Sequence, residues 1–120
     1  VKMVRAAYEY KLIRQITTTP SEKVTIGKRN IPLGFMNTNR LVRRGVWDIG
    51  LSKTGFIREA GRCLVMQTTI NNKPIIMVFL KSHGKYTRLG DANRVKKWIE
   101  RNNNKKKKIT QLNYKVIPPS

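Results

Sequence analysis

The chain has 120 residues, with 26 Lys and Arg against 6 Asp and Glu, for a formal net charge of +20. That length permits one domain, and 39% hydrophobic residues are enough for a modest core, which argues against disorder throughout. A single Cys excludes an internal disulfide and a Cys-rich zinc site; with one His besides, most transition-metal sites lack ligands, and no cofactor is expected. The charge points towards polyanions: nucleic acid, an anionic membrane surface or an anionic wall polymer. The longest apolar run, residues 75–80, is far too short to span a bilayer.

In chain order, residues 1–16 read as a helix. Val1, Val4, Tyr8 and Leu12 recur at spacings of three and four, opposite Lys2, Arg5, Glu9 and Arg14. Thr17, Thr18, Thr19 and Pro20 end it. This helix starts without a cap, at a residue that is no initiator Met, so further chain is expected upstream. Residues 23–26 and 29–33 read as two short strands around Gly27, and Pro32 keeps the second from a central position. A polar stretch, Asn37-Thr38-Asn39-Arg40, precedes Leu41 and Val42, and Gly45 punctuates the approach to Trp47.

Residues 49–54 form a strand stopped by Gly55. Residues 62–70 alternate as a second strand, with Cys63, Val65, Gln67 and Thr69 on one face and Leu64, Met66, Thr68 and Ile70 on the other. Asn71 and Asn72 tolerate positive φ and make a tight turn, so residues 74–80 return antiparallel. That third strand is apolar on both faces and is expected to be buried. A final helix opens at Lys85 or Thr87 and runs to about Arg101, with Leu89, Ala92, Val95 and Ile99 as its apolar stripe. Asn102, Asn103 and Asn104 are expected to end it. Residues 1–101 then form the body and residues 102–120 a basic, flexible tail around Lys105, Lys106, Lys107 and Lys108. The pattern is α+β, with helices against one sheet.

Lys53-Thr54-Gly55 falls at the end of the first strand of this group. The tripeptide alone is common by chance in a Lys-rich chain. The longer string is specific: Lys53-Thr54-Gly55-Phe56, then Ala60-Gly61-Arg62-Cys63-Leu64-Val65, preceded by Asn37-Thr38-Asn39-Arg40-Leu41-Val42. It resembles the C-terminal portion of the low-molecular-mass penicillin-binding proteins, the serine D-alanyl-D-alanine carboxypeptidases and endopeptidases, over most of residues 1–101. The resemblance implies the C-terminal half of the β-lactamase/transpeptidase-like fold. It also implies a parent enzyme that acts on peptidoglycan stem peptides or cross-links and is acylated by β-lactams. The lack of a long segment after the final helix favours the endopeptidase-like subgroup.

Such a motif suits such a substrate. A Lys ammonium gives a fixed positive charge, a neighbouring hydroxyl can donate to a carboxylate, and Gly lets a backbone approach closely. An open strand edge can pair with an extended peptide. By resemblance, Lys53 lies near the nucleophile, Thr54 binds substrate together with Gly55, and the Phe56 N–H supplies an oxyanion donor; the parent works in the periplasm or cell envelope. Lys53, Thr54, Gly55 and Phe56 are therefore the expected substrate-binding residues, and Lys53 has a supporting catalytic role.

The chain departs from the family's pattern in one large respect. That family also uses Ser-x-x-Lys, which carries the nucleophile, and Ser-x-Asn. The four serines here are Ser21, Ser52, Ser82 and Ser120, and none begins Ser-x-Asn. Ser82-His83-Gly84-Lys85 fits Ser-x-x-Lys but lies downstream of Lys53-Thr54-Gly55, with Gly84 opposing a helix, and is read as a decoy. These residues alone are therefore expected to be inactive.

Elsewhere the plainer readings prevail. Cys63 is a small apolar strand residue, Asp48 and Glu59 are solvated or paired, and Trp47 and Trp98 are packing anchors. Arg40, Arg43 and Arg44 form a solvated surface rather than a cleft border. A basic nucleic-acid-binding module is the alternative on charge alone, with no specific nucleic acid expected; a non-catalytic remnant of the peptidase is another. Anionic envelope polymers are a further candidate partner for the basic surface.

Overall fold

A computed structural model describes residues 1–116, with side chains described to residue 108. Two short helices open the chain: α1 (Lys2–Tyr8) and α2 (Lys11–Thr17). The single helix expected over residues 1–16 is thus broken at Tyr10, whose backbone is extended (φ −91°, ψ 107°). The break lets each segment pack in its own direction, α1 against the central sheet and α2 along its edge. Tertiary packing has overridden a continuous helical period.

A hairpin follows, β1 (Ser21–Ile26) with β2 (Ile31–Met36), joined by a turn in which Gly27 and Asn30 take positive φ. Every residue of both strands is exposed. Pro32 sits opposite Thr25 in this two-stranded ribbon, where no central position exists. The polar stretch then caps a short helix, α3 (Arg40–Arg44): the Asn39 side chain accepts from the Leu41 N–H, and Gly45 closes the helix in the left-handed conformation (φ 67°).

The central sheet has the order β3-β4-β5, all antiparallel: β3 (Ile49–Ile57), β4 (Gly61–Ile70) and β5 (Lys73–Ser82). Asn71 and Asn72 have φ of 52° and 62°, the two positive values that a two-residue hairpin turn requires. β3 does not stop at Gly55 but continues to Ile57, pairing Gly55 with Cys63 and Phe56 with Arg62. A strand accommodates Gly where the facing strand supplies the ladder bonds, so Gly55 lies within the strand rather than at its end.

Leu64, Met66 and Ile70 of β4 and Met77 of β5 form one apolar face, packed with Leu41 and with Ala92 of α4 (Thr87–Val116). The opposite face, with Gln67 and Ile76, meets α1. β5 is an edge, and only Met77 along it is buried; Val78 and Leu80 are 38% and 67% exposed. The fully buried strand expected there is therefore half open, because nothing among the described residues pairs with its second edge.

α4 also departs from expectation. It runs unbroken through Asn102, Asn103 and Asn104 and through the four consecutive lysines to Val116. Asn costs a helix only about 0.7 kcal/mol per residue and Lys is a good helix former, so neither run breaks it. The flexible tail expected from residue 102 is helical as far as residue 116, and residues 117–120 lie outside the described ones. No helix among the described residues is long and apolar enough to cross a membrane.

Candidate functional site

β3 pairs with β4 on one side only. Its other edge is partly spoken for: the Ser52 N–H donates to the Thr17 hydroxyl at 3.3 Å. Ser52 therefore turns its backbone groups away from β4. In a strand these groups alternate, so Thr54 and Phe56 turn theirs outward as well, while Lys53 and Gly55 bond to β4. The outward row beyond Ser52 is an open edge that offers the Thr54 and Phe56 amides.

Side chains alternate across the sheet. Thr54, opposite Leu64, lines a cleft of about 350 Å³ between β3, β4, α3 and the start of α4. Lys53, opposite Val65, lies on the other face; it is exposed, and its ammonium donates to the Thr54 carbonyl. Phe56 is 63% exposed, with the Arg62 guanidinium 5.2 Å from its ring centre. Lys53, Thr54, Gly55 and Phe56 are thus contiguous on one edge strand, but only Thr54 enters the cleft.

The stretch Asn37-Thr38-Asn39 holds this strand in place. Asn37 donates to the carbonyls of Thr17 (3.0 Å) and Thr19 (3.1 Å), while its side-chain oxygen accepts from the Asn39 N–H (2.9 Å). Asn39 is 1% exposed; its amide donates to Ser52 Oγ at 2.8 Å, and its oxygen caps α3. Thr38 Oγ1 lies 2.6 Å from Thr54 Oγ1. One tripeptide thereby ties α2, α3 and β3 together and orients the Thr54 hydroxyl. The string is visible in the sequence, but the job of each residue is not, since every partner lies 13 or more positions away except in two local bonds, from the Asn39 N–H to Asn37 and from the Leu41 N–H to Asn39.

The cleft is strongly basic. Arg40, Arg43, Arg62, Lys85 and Arg88 line it with no acidic residue. Arg40 donates to the Tyr86 hydroxyl at 2.8 Å and sits 4.2 Å from the centre of that ring. Arg88 donates to the Cys63 carbonyl at 2.8 Å. The solvated surface expected for Arg40, Arg43 and Arg44 is found only at Arg44, which is exposed; Arg40 and Arg43 are half-buried and border the cleft.

Other candidates separate cleanly. Ser82 ends β5 and Lys85 lies in the following turn, so the two do not share a helix. Cys63 is half-buried in β4, with its thiol directed to the Ala60 carbonyl, and Asp48 and Glu59 are exposed. Trp47 packs against the core with the Lys96 ammonium 4.8 Å from its ring centre. Trp98, expected as a second anchor, is 65% exposed, because it lies on the side of α4 turned from the sheet.

Known proteins share this arrangement. The family described as D-alanyl-D-alanine carboxypeptidase matches residues 1–84. A D-alanyl-D-alanine endopeptidase of Pseudomonas aeruginosa is 46% identical over 99 residues, and one of Escherichia coli is 48% identical over 99 residues. Each match covers 82% of this chain, but the chain spans only 32% of each relative. Among solved structures, a mutant of a Streptomyces DD-transpeptidase superposes with a TM-score of 0.68 at 26% identity, over 78% of this chain and 38% of that one. The β3-β4-β5 sheet with its flanking helices is thus a known peptidase scaffold, and the chain belongs to the D-alanyl-D-alanine carboxypeptidase family of penicillin-binding peptidases.

Proposed function

We propose that this chain supplies the substrate-binding portion of a serine peptidase that acts on the D-alanyl-D-alanine stem peptides or cross-links of peptidoglycan. The observation that carries this reading is the open outer edge of β3 beside the Thr54 hydroxyl. An extended peptide can add to that edge as a further strand, taking main-chain bonds from the outward amides. Thr54 donates to the substrate carboxylate from the cleft face, while Lys53, on the opposite face of the strand, takes its supporting role near the nucleophile. The Phe56 N–H serves as an oxyanion donor, a group whose loss typically costs ~10²–10³ in rate.

The nucleophile of this reading is a serine outside these 120 residues. Within them, the only Ser-x-x-Lys string is the non-helical Ser82 to Lys85 segment, so the chain alone is inactive. The two relatives are named endopeptidases, which favours cross-links as the substrate. Peptidoglycan places the work in the periplasm or cell envelope, and β-lactams acylate the complete enzyme.

Labelled penicillin tests the reading. The chain should take up no label, whereas a protein that joins it to a family portion bearing Ser-x-x-Lys and Ser-x-Asn should be labelled at that serine. Label at Ser82, or none on the joined protein, contradicts it.

A further inference from the structure

α4 carries a row of cations that the peptide-binding strand does not use. The helix sequence has two acids, Asp91 and Glu100, and these pair with Arg94 and Lys96. Lys97, Arg101, Lys105 and Lys108 are exposed and make no ion pair among the described residues. Steps of four, four and three set them on one side of the helix, with a rise of about 16 Å from first to last. That side is turned from the sheet, because Leu89, Val95 and Ile99 pack on the core from the other. Like charges one turn apart oppose a helix, so the row carries a repulsion that a bound anion relieves.

Residues 104–108 are all exposed, and the molecule is 80 Å long against 31 Å and 26 Å across, so this end of α4 stands out from the body. Arg88 lines the Thr54 cleft at the start of the same helix, and about 26 Å of continuous helix separates it from Lys105. No side chain from Arg101 to Lys108 is apolar. A helix that lies in a lipid surface needs an apolar face, and this segment lacks one. Trp98 is the one aromatic residue from Arg94 to Lys108, where stacking on successive bases needs a series. What the row offers is charge to a hydrated polyanion. Peptidoglycan is one, since its stem peptides bear free carboxylates. We propose that the row of Lys97, Arg101, Lys105 and Lys108 binds carboxylates of the peptidoglycan mesh, away from the peptide held at β3, and so retains the protein on the polymer. This rests on the peptidoglycan reading of β3 and adds a partner surface outside that site.

The test is co-sedimentation of the full 120-residue chain with insoluble peptidoglycan at moderate salt, the polymer having its carboxylates either free or amidated. A row variant combines Lys97→Gln, Arg101→Gln, Lys105→Gln and Lys108→Gln. It should be held about tenfold less tightly by the free form, since exposed charge contacts are modest singly and sum along the row. Amidation of the polymer should cost the parent chain about tenfold more than it costs the row variant. A control variant combines Lys2→Gln, Lys23→Gln, Lys28→Gln and Arg29→Gln, all exposed and outside α4. It has the same net charge as the row variant and should be retained like the parent, which controls for the attraction of any anion to a +20 chain. A soluble stem peptide ending in D-alanyl-D-alanine should bind parent and row variant equally. Gln and Lys are similar helix formers, and circular dichroism establishes that each variant is folded.

Equal loss of retention in the row variant and the control, or no loss in the row variant, overturns the proposal. So does a row variant that keeps its hold on peptidoglycan but loses it on duplex DNA or on phosphatidylglycerol vesicles, which assigns the row to that partner. Failure of the soluble peptide to bind any form, with retention on the polymer still lost in the row variant alone, overturns the strand reading and leaves the row standing.

Discussion

The hydroxyl oxygens of Thr38 and Thr54 lie 2.6 Å apart, joining the polar stretch before α3 to the middle of the edge strand. The pair is exposed on the cleft side and contributes more to orientation than to stability. Thr38→Val keeps the shape and removes the partner. It should change unfolding free energy by less than about 1 kcal/mol, the net value of an exposed hydrogen bond. Affinity for a D-alanyl-D-alanine peptide should fall several-fold as the Thr54 hydroxyl loses its fixed direction. Urea unfolding and peptide titration of the same variant measure both effects.

Asn39 presents the opposite balance. It is buried, and its two side-chain atoms serve Ser52 and the start of α3. Asn39→Ala strands the Ser52 hydroxyl and uncaps the helix, at an expected cost of about 2–4 kcal/mol from one unsatisfied buried group and one lost cap. Asn39→Asp keeps the cap oxygen but loses the donor to Ser52 Oγ, and should lie between Asn39→Ala and the parent. A shift in the urea midpoint at constant slope is the expected signature.

Gly61 opens β4 at φ 66°, and a Cβ there would approach the Lys81 backbone to 3.0 Å. Left-handed strain and the close contact add together. Gly61→Ala should therefore destabilise by about 1–3 kcal/mol, read as a lower thermal midpoint.

Along β5, Val78 and Leu80 are exposed on a strand with an unpaired edge. Such an edge invites pairing with a second copy. Sedimentation of the chain should show association that grows with concentration, and Leu80→Lys should reduce it with little change in unfolding midpoint. A strictly monomeric chain at high concentration would contradict this.

These particulars show what a sequence can and cannot carry. The β4–β5 hairpin was legible because its turn is local: two adjacent asparagines supply both positive φ values. Lys53-Thr54-Gly55-Phe56 was legible as a string, and α4 through its apolar stripe. The break at Tyr10 was not, because it arises from how two helical segments pack rather than from a breaker residue. The continuation of α4 past Asn102 is not legible, because three asparagines resemble a helix stop although each is only a weak helix former that an established helix can carry. The basic cleft was invisible for a topological reason. Arg40, Arg62 and Arg88 are far apart in the chain and meet only when α3, β4 and α4 are assembled, so locally each reads as an ordinary surface cation.

The central claim is that the outer edge of β3 receives an extended peptide, and amide hydrogen exchange tests it residue by residue. In the free chain, the outward amides of Thr54 and Phe56 should exchange quickly, and the inward Gly55 amide, facing Cys63, slowly. On saturation with a D-alanyl-D-alanine peptide, Thr54 and Phe56 should become protected while Gly55 changes little. Protection that leaves Thr54 and Phe56 untouched, or that appears only on β5, would contradict the account.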